Sequence, residues 1–395
     1  MTVERLWNQL NPELWPFSIK DLPTGTALVG GAVRDGLLNR LQECPDLDLI
    51  VPSAAIQLAK ELAINLKGTC VVLDPKRDIA RLIVKGWTID FAAQTGTSLE
   101  EDLSHRDFTI NAIALSLTGS PRLFDPTNGI SDLKKGRLVA IQEQNLISDP
   151  LRLLRGLRLI AEMNLLINKE TRQWMKKHHK LLPKAAPERI QTEINKLVRA
   201  PWADNALLVA IDFGLLNFWS NPKGQASQPP SLKKTTIMSN AERSIALPLA
   251  RLTYLLSDLG LEALRFSRKE RQRCQRLRHW TNLNDGDGFK SLSEADRLKL
   301  HQDLEEDLPA LIIELSLPQQ VDWLERWRNS NDPLFHPSSP IDGHTLQTNL
   351  KLPSGKIVGM LINHLSIEKA FGRISSRNEA INAASYWLEQ NKSLL

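Results

Sequence analysis

The sequence contains little of what stabilises exported or membrane-embedded proteins. It has only three cysteines in 395 residues, and they are Cys44, Cys70 and Cys274. Their odd number and wide spacing argue against a disulfide framework and a zinc cluster. No apolar run approaches the roughly 18 residues that a membrane helix needs, and the first segment, MTVERLWNQL, lacks the pattern of a secretory signal. We therefore expect a cytoplasmic protein in a reducing compartment, with no membrane partner.

Positive charge is concentrated in one part of the chain. The formal net charge is +5, and residues 141–200 contain 12 Lys and Arg against 6 Asp and Glu. This stretch alone accounts for the excess. It predicts a polyanionic partner such as a nucleic acid, although a solvated basic face is the alternative interpretation.

Hydrophobic periodicity divides the chain into two parts. Up to about Leu138, apolar segments predict strands with intervening helices, and the predicted strands are TALVGGAV, LDLIV, TCVVLD, IARLIVK and WTIDFAA. From Ser148 onward, apolar residues recur every three or four positions, and no further strand is predicted. Segments 220–234 and 329–340 are rich in Pro and Ser and predict loops or domain joints.

Two aspartates lie one residue apart at the start of a predicted strand, DLDLIV. Side chains alternate between the faces of a strand, so Asp46 and Asp48 should point the same way while Leu47 and Leu49 point into the core. Neighbouring carboxylates repel each other, and a shared hard cation such as Mg²⁺ relieves that repulsion. An arbitrary D-x-D more often lies at a solvent-facing strand end, so the assignment depends on the surrounding sequence.

Asp90 lies on the polar face of a later predicted strand, WTIDFAA. It would supply a third carboxylate if that strand lies beside the first. Such a group could hold two metal ions, one activating an attacking hydroxyl and one stabilising a leaving pyrophosphate. Asp90 is therefore a candidate catalytic residue, and its role as a third metal ligand stays open.

Upstream of the aspartates, the segment VGGAVRDGLL predicts a strand, a glycine turn and a helix. Gly30 and Gly31 would let backbone N–H groups approach a phosphate, and Arg34 in the first helical turn adds a positive charge. The spacing fits neither the dinucleotide-binding motif nor the P-loop. Together with the paired aspartates, it predicts a nucleoside triphosphate site beside a two-metal centre.

These two motifs are followed by HRDFTINAIA (105–114), DPTNGISDLKKGRLVAI (125–141), SDPLRLLRGLRLIAEM (148–163) and PERIQTEINKLV (187–198). In this order the chain resembles the class II tRNA nucleotidyltransferase and bacterial poly(A) polymerase family. The resemblance is strong over about the first 200 residues and weaker in the C-terminal segment DGHTLQTNLKLPSGKIVGMLINHL.

The resemblance implies an α+β fold with two parts. An N-terminal polymerase-β-like nucleotidyltransferase domain with a mixed sheet and helices is followed by an all-α C-terminal region. The implied divisions are a catalytic head over residues 1–140, a helical neck with base recognition over 141–219, and a helical body and tail that binds tRNA over 235–395. Within the last part, LRFSRKERQRCQRLRHW (264–280) has seven Lys and Arg and predicts a helix that follows RNA phosphates.

By the same resemblance, Asp46 and Asp48 are the metal ligands, while Gly30, Gly31 and Arg34 bind the incoming nucleotide. Both roles agree with what the two upstream motifs predict from their chemistry.

The segment RDFTINA would recognise the ribose through Arg106, Asp107 and Asn111. A carboxylate and an amide can hydrogen-bond to sugar hydroxyls, so a deoxynucleotide would leave polar groups unpaired. Family members usually have two basic residues before this aspartate, whereas the first is His105 here. The expected phosphate contact therefore rests on Arg106 alone. A helix start with Asp107 as its N-cap is the structural alternative.

The segment SDPLRLL is predicted to select the base. Pro150 suits the first helical position, which makes Asp149 the expected N-cap and places Arg152 on the same side of the helix. A carboxylate accepts from the exocyclic amine of cytosine or adenine, and a guanidinium donates to a ring acceptor. The resemblance implies that this pair acts as a protein template for CTP and ATP. Ser148 stands where the family usually has a glutamate.

Arg155 and Arg158 continue the basic series, and with the upstream motifs we expect them to contact phosphate. A solvated arginine face is the alternative. The helix predicted for ERIQTEINK carries charges that intrahelical ion pairs would satisfy, and these are Glu188, Arg189, Glu193 and Lys196.

The predicted reaction is attack of a tRNA 3′-hydroxyl on the α-phosphate of CTP or ATP, with Mg²⁺ and without a nucleic-acid template. Family members that add only CC have a shortened loop between the metal aspartates and the ribose segment. Residues 74–96 look short and strand-like, so CC-only addition is an open alternative to CCA addition. Poly(A) polymerase and a catalytically silent RNA-binding relative are further alternatives.

Overall fold

The computed structural model describes residues 3–220 and 229–391. Its N-terminal strands form one seven-stranded mixed sheet, in the order β3-β4-β5-β2-β1-β6-β7. The strands are β1 (Ala27–Val29), β2 (Leu47–Val51), β3 (Thr69–Asp74), β4 (Ile79–Val84), β5 (Trp87–Ala93), β6 (Ala114–Ser116) and β7 (Leu123–Phe124). Only the β2–β5 pair of this sheet is parallel. All five strands predicted from the alternating segments are present.

Helices cover the apolar side chains of this sheet. They are α1 (Val3–Leu10), α2 (Gly31–Leu37), α3 (Ala55–Leu66), α4 (Leu99–Ser104) and α5 (Gly129–Lys134). The resulting core includes Leu47 and Leu49 of β2, which are 0% and 1% exposed. Burial of these leucines fixes the register of β2, because a shift of one residue would turn its aspartate inward.

The next part of the chain is helical with one exception. The short strands β8 (Arg137–Leu138) and β9 (Leu166–Ile167) pair in parallel, so the expectation of no strand after Ser148 was wrong by one two-residue element. The pairing closes a crossover through the helices between the two strands. The helices of this part are α6 (Glu143–Ser148), α7 (Leu151–Met163), α8 (Lys169–Lys177), α9 (Pro187–Arg199) and α10 (Ala203–Phe213).

In the C-terminal residues described, helices are the regular elements and no strand occurs, as predicted. The helices are α11 (Asn240–Leu255), α12 (Asp258–Ala263), α13 (Arg268–Asn282), α14 (Glu294–Leu304), α15 (Leu308–Ile312), α16 (Leu317–Arg328), α17 (Gly343–Leu350), α18 (Lys356–Ala370) and α19 (Arg377–Gln390). None of the helices in the described ranges is long and apolar enough to cross a membrane.

The chain divides into two compact units. The first comprises residues 1–193 and 200–215, and the second comprises 194–199 and 216–395. The predicted loop at 329–340 lies between α16 and α17 and contains no helix or strand. Most of the other predicted joint, residues 221–228 within 220–234, lies outside the described residues. The division into head, neck and body stays a prediction.

Helix α13 corresponds to the arginine-rich segment expected to follow RNA phosphates. Four of its arginines are bound within the second unit: Arg271 by Glu262, Arg273 by Asp307, Arg276 by the carbonyl of Asp303, and Arg278 by the carbonyls of Thr253 and Leu256. These four side chains stabilise contacts of α13 with neighbouring segments. The RNA-binding role of this helix stays a prediction that rests on its exposed first turn, Arg268 and Lys269.

Candidate functional site

A glycine turn between β1 and α2 places the Asp48 side chain. Gly30 has φ +72°, a conformation that favours glycine, and Val29 before it pairs with Asp48 across the antiparallel β1–β2 ladder. A Cβ atom on Gly30 would lie 2.7 Å from Asp48 Oδ2. The Asp48 carboxylate therefore lies directly against the glycine turn, and any side chain at position 30 would displace it.

The charges around Asp48 act on its ionisation in opposite directions. Burial raises its pKa, the negative charges of Asp90 and Asp46 raise it further, and the positive charges of Arg106 and Arg155 oppose the rise. Asp46 immediately precedes β2 and is exposed, whereas Asp48 is partly buried. Asp46 and Asp90 thus both lie close enough to repel the Asp48 carboxylate, and added positive charge would favour its ionised form.

Asp90 lies beside Asp48, as its proposed role as a third carboxylate requires, but an arginine already binds its carboxylate. Strand β5 runs parallel to β2 with Asp90 opposite Asp48. On its other side Arg81 of β4 donates to both Asp90 oxygens, with Nε–Oδ1 of 2.7 Å and Nη2–Oδ2 of 2.8 Å. This bidentate pair neutralises Asp90 locally and favours a charge-balancing role over metal coordination.

A continuous chain of contacts joins four of the predicted nucleotide-binding residues. Arg34 Nη1 donates to Asn111 Oδ1 at 2.7 Å, and Asn111 Nδ2 donates to Asp107 Oδ1 at 3.1 Å. Arg155 Nη2 of α7 lies 3.2 Å from Asp107 Oδ2. The chain therefore runs from the glycine turn through the ribose segment to α7.

Asp107 at the centre of this chain is 4% exposed. Burial raises its pKa, but Arg155 and the hydrogen bond from Asn111 outweigh burial and hold the pKa below its ordinary value. The segment is not the start of an α-helix, because α4 ends at Ser104 and only a 3-10 turn covers Thr109–Asn111. The backbone N–H of Phe108 donates to Asp107 Oδ1, so this carboxylate organises a turn rather than a helix cap.

The two remaining basic residues near the turn carry their own acidic neighbours. Arg34 donates to both oxygens of Asp35, at 3.1 and 2.9 Å. Arg106 Nε lies 3.5 Å from Asp102 Oδ2, a carboxylate that also accepts from the Thr95 backbone at 2.9 Å. The contacts with Asp35 hold the Arg34 side chain, and Arg106 lies close enough to Asp48 for its charge to lower the pKa of that carboxyl.

The predicted base-selecting residues lie at the start of α7. The backbone N–H of Arg152 donates to the Asp149 carbonyl at 3.0 Å, and their side chains bind other partners. The helix begins at Leu151, one residue later than expected, and the Leu151 N–H donates to Asp149 Oδ1 at 3.2 Å. Asp149 Oδ2 receives Arg189 of α9 at 3.1 Å. Arg152 Nη1 donates to the carbonyls of His105, at 2.8 Å, and Asn145, at 3.2 Å.

The Arg158 side chain is bound by two glutamates. Its guanidinium donates to Glu193 at 2.7 Å and to both oxygens of Glu162 at 2.9 Å, and its side chain is 14% exposed. The structure therefore favours a structural role for Arg158 over the expected phosphate contact. It also corrects the expectation of intrahelical ion pairs in α9, because Arg189 and Glu193 pair with residues outside that helix.

Asp46 and Asp48 suit a cation that takes only one or two ligands from the protein and the others from water and substrate. Among the described residues no group of three or more His, Cys, Asp or Glu is arranged to hold a metal ion. Mg²⁺ usually uses one or two carboxylates together with water and substrate phosphates. Asp46 and Asp48 match that requirement, because their mutual repulsion calls for added positive charge.

Comparison with known proteins agrees with this arrangement. The model described as "Poly A polymerase head domain" matches residues 26–139, and that described as "Probable RNA and SrmB- binding site of polymerase A" matches 164–221. The CC-adding tRNA nucleotidyltransferase of Synechocystis is 31% identical over 96% of both chains. This chain belongs to the tRNA nucleotidyltransferase family.

Other members of the tRNA nucleotidyltransferase family extend the comparison. The CCA-adding enzyme of Latilactobacillus sakei is 30% identical over 76% of this chain and 78% of its own. The solved structure of the Thermotoga maritima CCA-adding enzyme complexed with tRNA has a TM-score of 0.71 at 20% identity, and the match covers 98% of this chain and 94% of that one. The last likeness shows a common fold.

Two residues of this candidate site were not among those predicted from the sequence. Arg81 was predictable, because a two-residue turn at Lys85–Gly86 sets Arg81 opposite Asp90 in the β4–β5 hairpin. Asn145 was not predictable, since its contacts are to backbone carbonyls that only the folded chain brings near.

Proposed function

We propose that this chain adds nucleotides to the 3′ end of tRNA, and that it adds two cytidylates from CTP. The observation that carries the proposal is the contact of Asp48 with the glycine turn, in a chain that belongs to the tRNA nucleotidyltransferase family. At this place a triphosphate bound by the turn would lie beside the paired carboxylates. Its α-phosphate is then the position that a tRNA 3′-hydroxyl must attack.

Asp46 and Asp48 would hold Mg²⁺, which in such sites activates the attacking hydroxyl and stabilises the leaving pyrophosphate. Arg106 and Arg155 supply positive charge next to Asp48, where the triphosphate carries its negative charge. Gly30 and Gly31 open the backbone at the start of α2 to a phosphate oxygen. Arg155 is held by Asp107 and Arg106 lies beside Asp102, so these two charges are already in place before a nucleotide binds.

Ribose recognition is assigned to Asp107 and Asn111. Asp107 Oδ2 is buried without a hydrogen-bond donor among the described residues, apart from the ion pair with Arg155. A sugar hydroxyl could supply that donor, and a deoxynucleotide could not. Arg34 is assigned a supporting role, because its guanidinium holds the Asn111 amide.

Base selection is assigned to Asp149 and Arg152 of the α7 segment. The Arg189 side chain that pairs with Asp149 is 54% exposed, so the exocyclic amine of a cytosine can replace it at low cost. Arg152 keeps further N–H groups after donating from Nη1, and these suit the adjacent ring acceptor. Adenine presents the same order of amine and acceptor, so ATP is expected to bind as well.

Addition of CC alone is favoured by the short connections between the aspartates and the ribose segment. In the family, the loop that CC-adding members have shortened lies in this interval. Here the connections between regular elements are residues 52–54, 67–68, 75–78, 85–86 and 94–98. None of them is long enough to form a mobile loop, and the nearly full-length relative from Synechocystis is a CC-adding enzyme.

The test is incubation of the purified protein with tRNA lacking its terminal CCA, in the presence of CTP alone, ATP alone or both. We expect extension by two cytidylates with CTP and no further extension when ATP is added. Extension by CCA would identify a complete CCA-adding enzyme. Long adenylate tracts with ATP alone would identify a poly(A) polymerase, and no extension at all would identify a silent RNA-binding relative. A cytoplasmic location is expected from the same tRNA substrate.

A further inference from the structure

Helix α6 carries a buried asparagine that the predicted chemistry does not use. Asn145 is 3% exposed and precedes the base-selecting segment by a few residues. An amide side chain is costly to bury unless its donors and acceptor are all satisfied. The partners of Asn145 therefore indicate what its burial achieves.

The Asn145 amide uses both of its donors on one short stretch of backbone. Nδ2 donates to the carbonyl of Ser104 at 2.8 Å and to the carbonyl of Arg106 at 2.7 Å. Its Oδ1 accepts from Gln142 Nε2 at 2.9 Å. The two carbonyls flank His105, so the amide fixes the backbone immediately before Asp107.

The backbone of Asn145 faces the base-selecting residues. Its carbonyl accepts from Arg152 Nη1 at 3.2 Å and from the Asp149 N–H at 3.4 Å. Arg152 Nη1 also donates to the carbonyl of His105 at 2.8 Å. Arg152 is therefore held between two carbonyls, one belonging to Asn145 and the other within the backbone that its amide fixes.

We propose that Asn145 is a positioning residue for base selection, acting through Arg152 without touching the nucleotide. This inference rests on the proposed function. By binding the carbonyls of Ser104 and Arg106, the Asn145 side chain fixes the His105 carbonyl relative to the backbone carbonyl of Asn145. The carbonyls of His105 and Asn145 together orient the Arg152 guanidinium toward the base. Asparagine suits this task because it offers two donors and one acceptor in one rigid plane. An aspartate at this position has the same shape, but its carboxylate has no N–H to donate to the carbonyls of Ser104 and Arg106.

The test compares kcat/KM for CTP and UTP on tRNA lacking CCA, in the wild type and in Asn145→Asp. We expect the CTP to UTP ratio to fall by about tenfold, the effect of one misplaced charged hydrogen bond. The matched control is Gln142→Ala, which removes the partner of Oδ1 and a long contact to the Ser104 carbonyl at 3.5 Å, and leaves both hydrogen bonds donated by the Asn145 amide. Its ratio should stay within about twofold of the wild type.

The ratio separates positioning from mere stabilisation, because the fraction of folded enzyme cancels from it. Should Asn145→Asp fold poorly, Asn145→Ser keeps one donor and gives an intermediate ratio. In an Arg152→Ala background, Asn145→Asp should lower the ratio no further. An unchanged ratio with a lower melting temperature, or an additional loss in that background, would overturn the inference. A wild type that incorporates no nucleotide would instead contradict the proposed function itself.

Discussion

Helices α7 and α13 are both rich in arginine, yet their side chains have different partners. In α7, Arg155 reaches Asp107, a buried carboxylate of the candidate site, and Arg152 reaches the backbone beside it. In α13, Arg273 binds Asp307 and Arg278 binds the ends of neighbouring segments, within a purely helical unit. The comparison shows that arginine density does not identify a binding surface, because the partner of each guanidinium decides whether its charge serves a ligand or the fold.

Asp48 gives the largest expected effect on the site side of this comparison. Asp48→Asn should lower nucleotide incorporation by at least about a thousandfold, because the pair of carboxylates next to the triphosphate is lost. tRNA binding should be nearly unchanged. Incorporation assays and a tRNA binding titration measure both quantities, and persistent incorporation would reject the metal assignment.

The same substitution should stabilise the protein when no divalent cation is present. The pKa of Asp48 is raised, so the ionised carboxylate is less favourable in the folded state and stability is lost as pH rises through that pKa. At neutral pH, Asp48→Asn should therefore raise the free energy of unfolding, by about 1 kcal/mol. Mg²⁺ should raise the melting temperature of the wild type more than that of the variant.

Arg155 is expected to affect both activity and stability. Arg155→Gln leaves the buried Asp107 carboxylate without its ion pair, which should cost about 3 kcal/mol of unfolding free energy and strongly reduce incorporation. Chemical denaturation and incorporation assays test the two effects. If activity falls while stability is unchanged, Asp107 has other compensation and the contact chain through the site is wrongly described.

Arg273 is the matched position in α13. Arg273→Ala should lower the free energy of unfolding by about 1–2 kcal/mol, since it removes three hydrogen bonds to Asp307. It should leave the salt dependence of tRNA binding unchanged. Arg268→Gln in the exposed first turn serves as the control and should alter stability by less than about 0.5 kcal/mol. If tRNA binding by Arg273→Ala depended less steeply on salt concentration, Arg273 would contact RNA and this contrast between the two helices would be wrong.

Glu242 gives the smallest effect, and it depends on pH. The Arg328 side chain donates to this carboxylate and lowers its pKa from 4.5 to about 2. A carboxyl whose pKa is lowered on folding stabilises the folded state at pH values above 4.5. That stabilisation is lost as the pH falls toward 2. Glu242→Gln should thus cost about 1 kcal/mol at pH 7 and nothing near pH 2. Denaturation across this range measures the difference, and parallel curves would contradict it.

Much of the site was predictable because its residues belong to short, local motifs. The alternation in DLDLIV fixed which side chains face the core, and the glycine pair followed by an arginine indicated a strand, turn and helix. Both features depend on neighbours a few residues apart. Arg158 and α9 were assigned differently by the sequence because their ion pairs join helices that are distant along the chain.

The sequence by itself determined the strands of the N-terminal part, the helical remainder and the presence of paired aspartates beside a glycine turn, since periodicity and turn chemistry are local properties. Only the tertiary structure decided which charges are already neutralised. Arg81 on Asp90, Glu193 on Arg158 and Asp307 on Arg273 are pairs set by packing. An ion pair depends on distances of a few ångströms between side chains, and those distances exist only after the elements have packed together.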